Sequence, residues 1–133
     1  MTDLEIRIAR LEDREETCDV VTRYCTTVDA RDWEGFAACF DETVATGFNS
    51  TRAPLEIRTR DEWVAEVAAV LDGFTHTQHI SSNHVYEFGP GSDRAICHSH
   101  MFAQHLLDGD ADADRCFYLL RATYTNHMVR TSQ

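Results

Sequence analysis

Residues 75–88 read THTQHISSNHVYEF, and two segments of the same kind, Arg94 to Leu107 and Arg115 to Arg130, follow with only GPGSD and DGDADAD between them. Each is rich in β-branched and aromatic residues, and each junction is rich in the residues that form turns. The spacing predicts three long strands in an antiparallel meander. Working back toward the N-terminus, Thr59 followed by Glu62 is a capping box that opens a helix running to about Leu71. Trp63, Val67 and Val70 or Leu71 make its inward face, and Gly73 ends it. Before it, Thr43 to Ser50 and Pro54 to Arg58 read as short strands. From about Leu4 to Ala30, apolar residues including Leu4, Ile8, Leu11, Val21, Cys25 and Val28 recur at helical spacing, interrupted by charges from Asp13 to Glu16. This predicts one long helix or a helix pair. Asp32 can cap a further short helix, Trp33 to Phe40, with an apolar face. Helices first, then a curved antiparallel sheet with one helix inserted, is an α+β arrangement.

At 133 residues the chain has room for a single domain with one core or one walled cavity. Its 43% hydrophobic content and two prolines are those of a globular protein. Twenty-three acidic residues against twelve basic ones give a formal charge of −11, a field that opposes nucleic acid and acidic membrane surfaces. All twelve basic residues are arginine. With no lysine, Schiff-base chemistry is excluded. Cys18, Cys25, Cys39, Cys97 and Cys116 are odd in number and contain no CxxC pair, so they read as free thiols of a reducing compartment. The opening MTDLEIRIARLEDREE lacks the apolar core of a signal peptide, and no run approaches membrane-spanning length. The expected location is cytoplasmic.

If Phe88 and Arg94 face each other across their loop, odd residues on the first long strand meet odd residues on the second. His79, Ser81 and Asn83 then share a face with Cys97, Ser99, Met101, Ala103 and His105. His84, His98 and His100 fall on the opposite face, where two imidazoles two residues apart have the spacing of a metal site. A surface histidine patch is the simpler account, because no third ligand type sits at suitable spacing, and no metal or other cofactor is expected. The aspartate-rich turn from Asp108 to Asp114 lacks the glycine and terminal glutamate of a calcium loop and reads as a solvated turn.

Singly, Asp29 is a helix-terminal carboxylate and His79 a core histidine satisfied by the backbone. The segments RYCTTVDARDWEGFAACF, TQHISSNHVYEF and ATYTNHMVRT resemble the SnoaL-like branch of the nuclear transport factor 2-like superfamily, over nearly the whole chain. The resemblance implies a cone: a strongly curved antiparallel sheet wrapped around a pocket closed by the N-terminal helices. It also implies that Asp29 and His79 match the helix-end aspartate and strand histidine of scytalone dehydratase, hexachlorocyclohexane dehydrochlorinase and bile-acid 7α-dehydratase. Tyr24 coincides with a pocket tyrosine of the last, His105 lies near a second pocket histidine of the first, and Tyr124 near a polar pocket position.

In a dry pocket an aspartate hydrogen-bonded to imidazole fixes its tautomer and stabilises the imidazolium. His79 can then take a proton from carbon next to an activating group, with Tyr24 or His105 as donor to the leaving group or enolate oxygen. The expected function is a cofactor-independent lyase or isomerase acting on a small apolar cyclic molecule, with Phe48, Phe74, Met101 and Leu119 shaping the pocket. The alternative is a non-catalytic cone that binds a hydrophobic ligand or dimerises. No carboxylate stands near Thr46 to Phe48, so the base of ketosteroid isomerase is missing, as is the Asp–Arg–Asp pattern of limonene-epoxide hydrolases. Relatives continue past the VRT segment into a further strand, whereas this sequence stops at Gln133. The expectation is that either the sheet is one strand short or the sequence is a truncated form; a missing strand would leave a sheet edge open for a second copy to cover in a homodimer or higher oligomer.

Overall fold

The computed structural model describes residues 1–48, 54–89, 93–107 and 117–131. Helix α1 (Asp3–Ala30) is followed by α2 (Trp33–Ala37), β1 (Thr43–Thr46), β2 (Glu56–Thr59), α3 (Arg60–Leu71), β3 (His76–Phe88), β4 (Arg94–Leu106) and β5 (Phe117–Val129). The architecture is α+β, as expected. The acidic turn with Cys116, the tip of the GPGS turn and the stretch after Phe48 lie outside the described residues. No helix among the described residues is long and apolar enough to cross a membrane.

α1 is one continuous helix, not a pair. It opens on a capping box in which Thr2 and Glu5 satisfy each other's backbone N–H. The charged stretch at its middle does not break it, because Asp13 and Glu16 both hold the guanidinium of Arg130, just beyond β5. Ahead of that point the apolar ladder is exposed, with Leu4 at 62% and Leu11 at 67%; the buried residues are Thr17, Val21, Cys25 and Val28. The helix stops at Arg31, which adopts the left-handed conformation (φ 57°) usually left to glycine.

α2 is shorter than the spacing predicts, but Asp32 caps it, accepting the Gly35 N–H at 2.9 Å. Its Phe36 is fully buried, with Val28 and Leu71 forming the core that joins the three helices. Tyr24 and Phe40 pack their rings on Phe36 at 5.2 and 5.0 Å between centroids. A side chain buried this fully contributes about 2–3 kcal/mol. α3 begins at the expected capping box, with Thr59 Oγ1 accepting the Glu62 N–H. It ends at Leu71, two residues before Gly73.

Among the described residues β1 and β2 pair only with each other, while β3, β4 and β5 form an antiparallel meander in that order. The β3–β4 register runs His79↔Ala103 and Ser82↔His100, then shifts by one residue to Val85↔His98 and Phe88↔Ala95. The shift is a β-bulge at Asn83, whose φ is 56°. It corrects the sequence expectation: Phe88 faces Ala95 and not Arg94, so between the turn and the bulge the faces of β3 are exchanged relative to the expected ones. Asn83 is exposed and His84 turns to the inner side with Ser81, which it meets at 2.8 Å. The inner face of β4 is as expected, with Cys97, Ser99, Met101, Ala103 and His105 all buried.

Candidate active site

β3 lies at one edge of its sheet, so the N–H groups on its free side need partners. α1 supplies them. The His79 N–H donates to Asp29 Oδ2 at 2.8 Å, and the Ser81 N–H is bonded by the Cys25 sulfur. Four residues of helix rise about 6 Å and two residues of strand about 6.6 Å, so side chains at 25 and 29 meet strand positions 81 and 79 when helix and strand run antiparallel. The helix thus docks along the strand edge through side chains and brings Asp29 beside the ring of His79.

Asp29 Oδ1 lies 2.7 Å from His79 Nδ1 and also accepts the Thr77 hydroxyl at 2.9 Å. Thr77 is in turn held by Arg31, whose Nη1 donates to Thr77 Oγ1 and to the Val28 carbonyl, both at 2.9 Å. The other nitrogen, Nη2, reaches the Leu71 and Phe74 carbonyls at 3.2 and 3.3 Å. One guanidinium therefore joins the ends of α1 and α3 to the start of β3, which accounts for the left-handed Arg31 at that corner. An ionised carboxylate only accepts, so His79 Nδ1 carries the proton and the neutral ring presents the Nε2 lone pair away from Asp29. The imidazole is 9% exposed and the carboxylate 23%.

His105, on β4, stands edge-on to His79 with centroids 5.2 Å apart and packs on Phe74 at 4.9 Å. Its Nδ1 donates to the Tyr118 carbonyl at 3.3 Å. Burial lowers its pKa, partly offset by the Tyr118 carbonyl, and nearby His79 lowers it further. In the neutral ring Nε2 accepts a hydrogen bond, so the donor role expected of His105 requires a second proton that burial opposes.

Tyr24 sits above the inner face, its ring in the Phe36 cluster and its hydroxyl bonded to that of Tyr124 on β5. Burial raises the pKa of both, so both remain neutral phenols. Among the described residues neither hydrogen-bonds the Asp29–His79 pair. Met101 is buried on the inner face opposite Ser81 and Ala122. Two further residues were expected at the pocket. Phe48, two residues past the end of β1, is 62% exposed. Leu119 falls on the outer face of β5, opposite Gln104, because strand alternation gives the inner face to Leu120. Burial and the Asp29 charge push the Cys25 thiol up to about 11, which removes it as a nucleophile.

The bulge also separates the three histidines of the metal reading. His84 faces inward, while His98 on the outer face is engaged by Glu87 at 3.0 Å and Thr125 at 3.2 Å. No group of three metal-ligating side chains occurs among the described residues. Thr77 and Arg31 were not singled out from the sequence. Thr77 carried a signal, since it precedes His79 by two residues and so shares its face. Arg31 carried none, because its partners come from three elements. A hollow of about 410 Å³ is lined by Arg31, Trp33, Asp72 and Phe74 at this corner; His79 is not among its lining residues.

A family model described as a SnoaL-like domain matches residues 9–133. No curated protein matches the chain. Among solved structures, the Kfla4162 protein from Kribbella flavida is similar with a TM-score of 0.81 at 26% identity, over 92% of this chain and 84% of that one. A candidate scytalone dehydratase from Novosphingobium aromaticivorans gives 0.70 at 23% identity, over 98% and 79%. A hexachlorocyclohexane dehydrochlorinase from Novosphingobium barchaimii gives 0.73 at 16%, over 94% and 81%. At the latter two identities the likeness is one of fold.

Proposed function

The chain belongs to the SnoaL-like domain family, and from that premise we propose that it is a cofactor-independent lyase or isomerase in which Asp29 and His79 act as a general-base dyad. The observation that carries the proposal is the 2.7 Å contact between Asp29 Oδ1 and His79 Nδ1, with both carboxylate oxygens fixed by further donors. Fold alone does not choose among chemistries; the site does.

In this reading His79 Nε2 removes a proton from a carbon beside an electron-withdrawing group of a small apolar, cyclic substrate. Asp29 stabilises the imidazolium that forms. In an elimination the electron pair of the broken C–H bond becomes a double bond as the leaving group departs, and His79 returns its proton to that group. In an isomerisation the same proton goes back to a different carbon. Tyr24 and Tyr124, kept neutral by burial, are the hydroxyl donors nearest in kind to what a developing oxyanion needs.

The test is a screen of hydroxylated and carbonyl-bearing cyclic compounds for elimination or for solvent deuterium exchange at carbon. His79→Ala and Asp29→Asn are each expected to lower kcat/KM about 10²–10⁴-fold with folding retained. Full activity in the double variant would sink the proposal. A second reading, a dimerising or ligand-binding cone without chemistry, is favoured by the outer sheet face, where Ile80 is 48% and Phe102 38% exposed. It predicts ligand affinity indifferent to both substitutions, and a dimer in sedimentation equilibrium.

A further inference from the structure

The inner face of the sheet holds a second polar patch, at the bulge. Asn83 occupies the left-handed region that non-glycine residues seldom adopt, and strain of this kind persists where the surroundings hold it. Its effect is to turn His84 inward, where Nε2 lies 2.8 Å from Ser81 Oγ. Facing the bulge on β4, between the pairs His98↔Val85 and His100↔Ser82, is Ser99. Ser99 is 3% exposed, and its hydroxyl finds no hydrogen-bond partner among the described residues. Buried hydroxyls are rarely left so. Across from it on β5 stands Tyr124, which is tied to Tyr24.

From this geometry we infer that Ser99, with His84 and Tyr124 beside it, is a subsite for a neutral oxygen of the ligand, a hydroxyl or carbonyl, remote from the reacting carbon. The patch consists of hydroxyls and an imidazole, which suit an uncharged oxygen better than a carboxylate or phosphate. Ser99 lies four residues along β4 from Ala103, the partner of His79, a strand distance of about 13 Å. Buried Met101 lies midway between them. The ligand class is therefore an elongated molecule with an apolar middle, an oxygen at the Ser99 end and its reactive carbon at the other. The reactive end rests on the dyad reading; the subsite rests on the bulge and on Ser99.

Equilibrium dialysis with para,para′-biphenol, a rigid apolar body with a hydroxyl at each end, and with biphenyl, which has neither, tests it without any turnover. Ser99→Ala is expected to weaken biphenol about tenfold while leaving biphenyl within about twofold, since a site built to bond an oxygen loses that term alone. Equal biphenol affinity in the variant would mean that the Ser99 hydroxyl serves only a water, and overturns the subsite. Equal weakening of both compounds would reduce it to packing, and failure of biphenol to bind the wild-type chain also overturns it. Running His79→Ala in parallel separates the two proposals. Biphenol binding that depends on Ser99, together with undiminished turnover in His79→Ala, would leave the subsite standing and the dyad fallen, and the reverse result would do the opposite.

Discussion

The two ends of the inner face are built on opposite principles. At the His79 end the Asp29 carboxylate has three donors, and Thr77 and Arg31 brace it in turn. At the bulge end, Ser99 is buried with its hydroxyl unmatched among the described residues. A group that must hold a fixed tautomer and aim gains from being saturated by its own chain. A group that must take up a ligand atom has to keep a bond in reserve. The difference separates a place prepared for chemistry from a place prepared for recognition.

The largest expected effect that sharpens this contrast is in stability. Asp29→Ala strands the His79 N–H, the His79 ring and the Thr77 hydroxyl, and is expected to cost about 3–5 kcal/mol in urea unfolding, toward the low end of about 1–3 kcal/mol for each group left unpaired because the site is only part-buried. Ser99→Ala, which breaks no hydrogen bond among the described residues, is expected to stay within about 0.5 kcal/mol of wild type. Equal losses at the two positions would erase the distinction. Next comes Thr77→Val, which keeps the shape but removes one hydroxyl between Arg31 and Asp29, with an expected loss of about 1 kcal/mol. Its sharper signature is a lower kcat at unchanged KM, because Thr77 positions the dyad and touches no substrate.

The smallest effect concerns pH. His105 has its pKa lowered in the fold, chiefly by burial, from the ordinary value near 6.5. Between that value and the lowered one the unfolded chain binds the proton that the folded chain refuses. The stability contributed by His105 is therefore complete above about pH 7 and falls as the pH drops through 6.5 toward the lowered pKa. His105→Gln should flatten the fall in urea midpoint between pH 7 and pH 5. An unchanged slope would remove His105 from the group of residues that keep the dyad end dry.

Much of this was legible in the chain because it is local. Thr59 with Glu62 and Asp32 with Gly35 announce their helices within four residues, and THTQHISSNHVYEF shows its strand by composition. The failure at His84 has an equally definite cause. Register was carried outward from an assumed Phe88–Arg94 pair at constant sum, but Phe88 pairs with Ala95, so every position between the turn and Asn83 was placed one residue off. The extra residue at the bulge restores the expected register from Ser82 down the strand. The run Ser81 to His84 is polar on both faces, so no hydrophobic alternation marks the slip.

The sequence by itself determined the order of helices and strands, the exclusion of lysine chemistry and, through resemblance, the pairing of Asp29 with His79, since periodicity, caps and composition act over a few neighbouring residues. Only the tertiary structure decided which face His84 takes, that Arg31 and Thr77 brace the carboxylate, and that Ser99 is left without a partner among the described residues. Those are properties of edges and corners where elements distant in sequence share hydrogen-bonding groups, and a buried group's need for a partner is settled only once all its neighbours are in place.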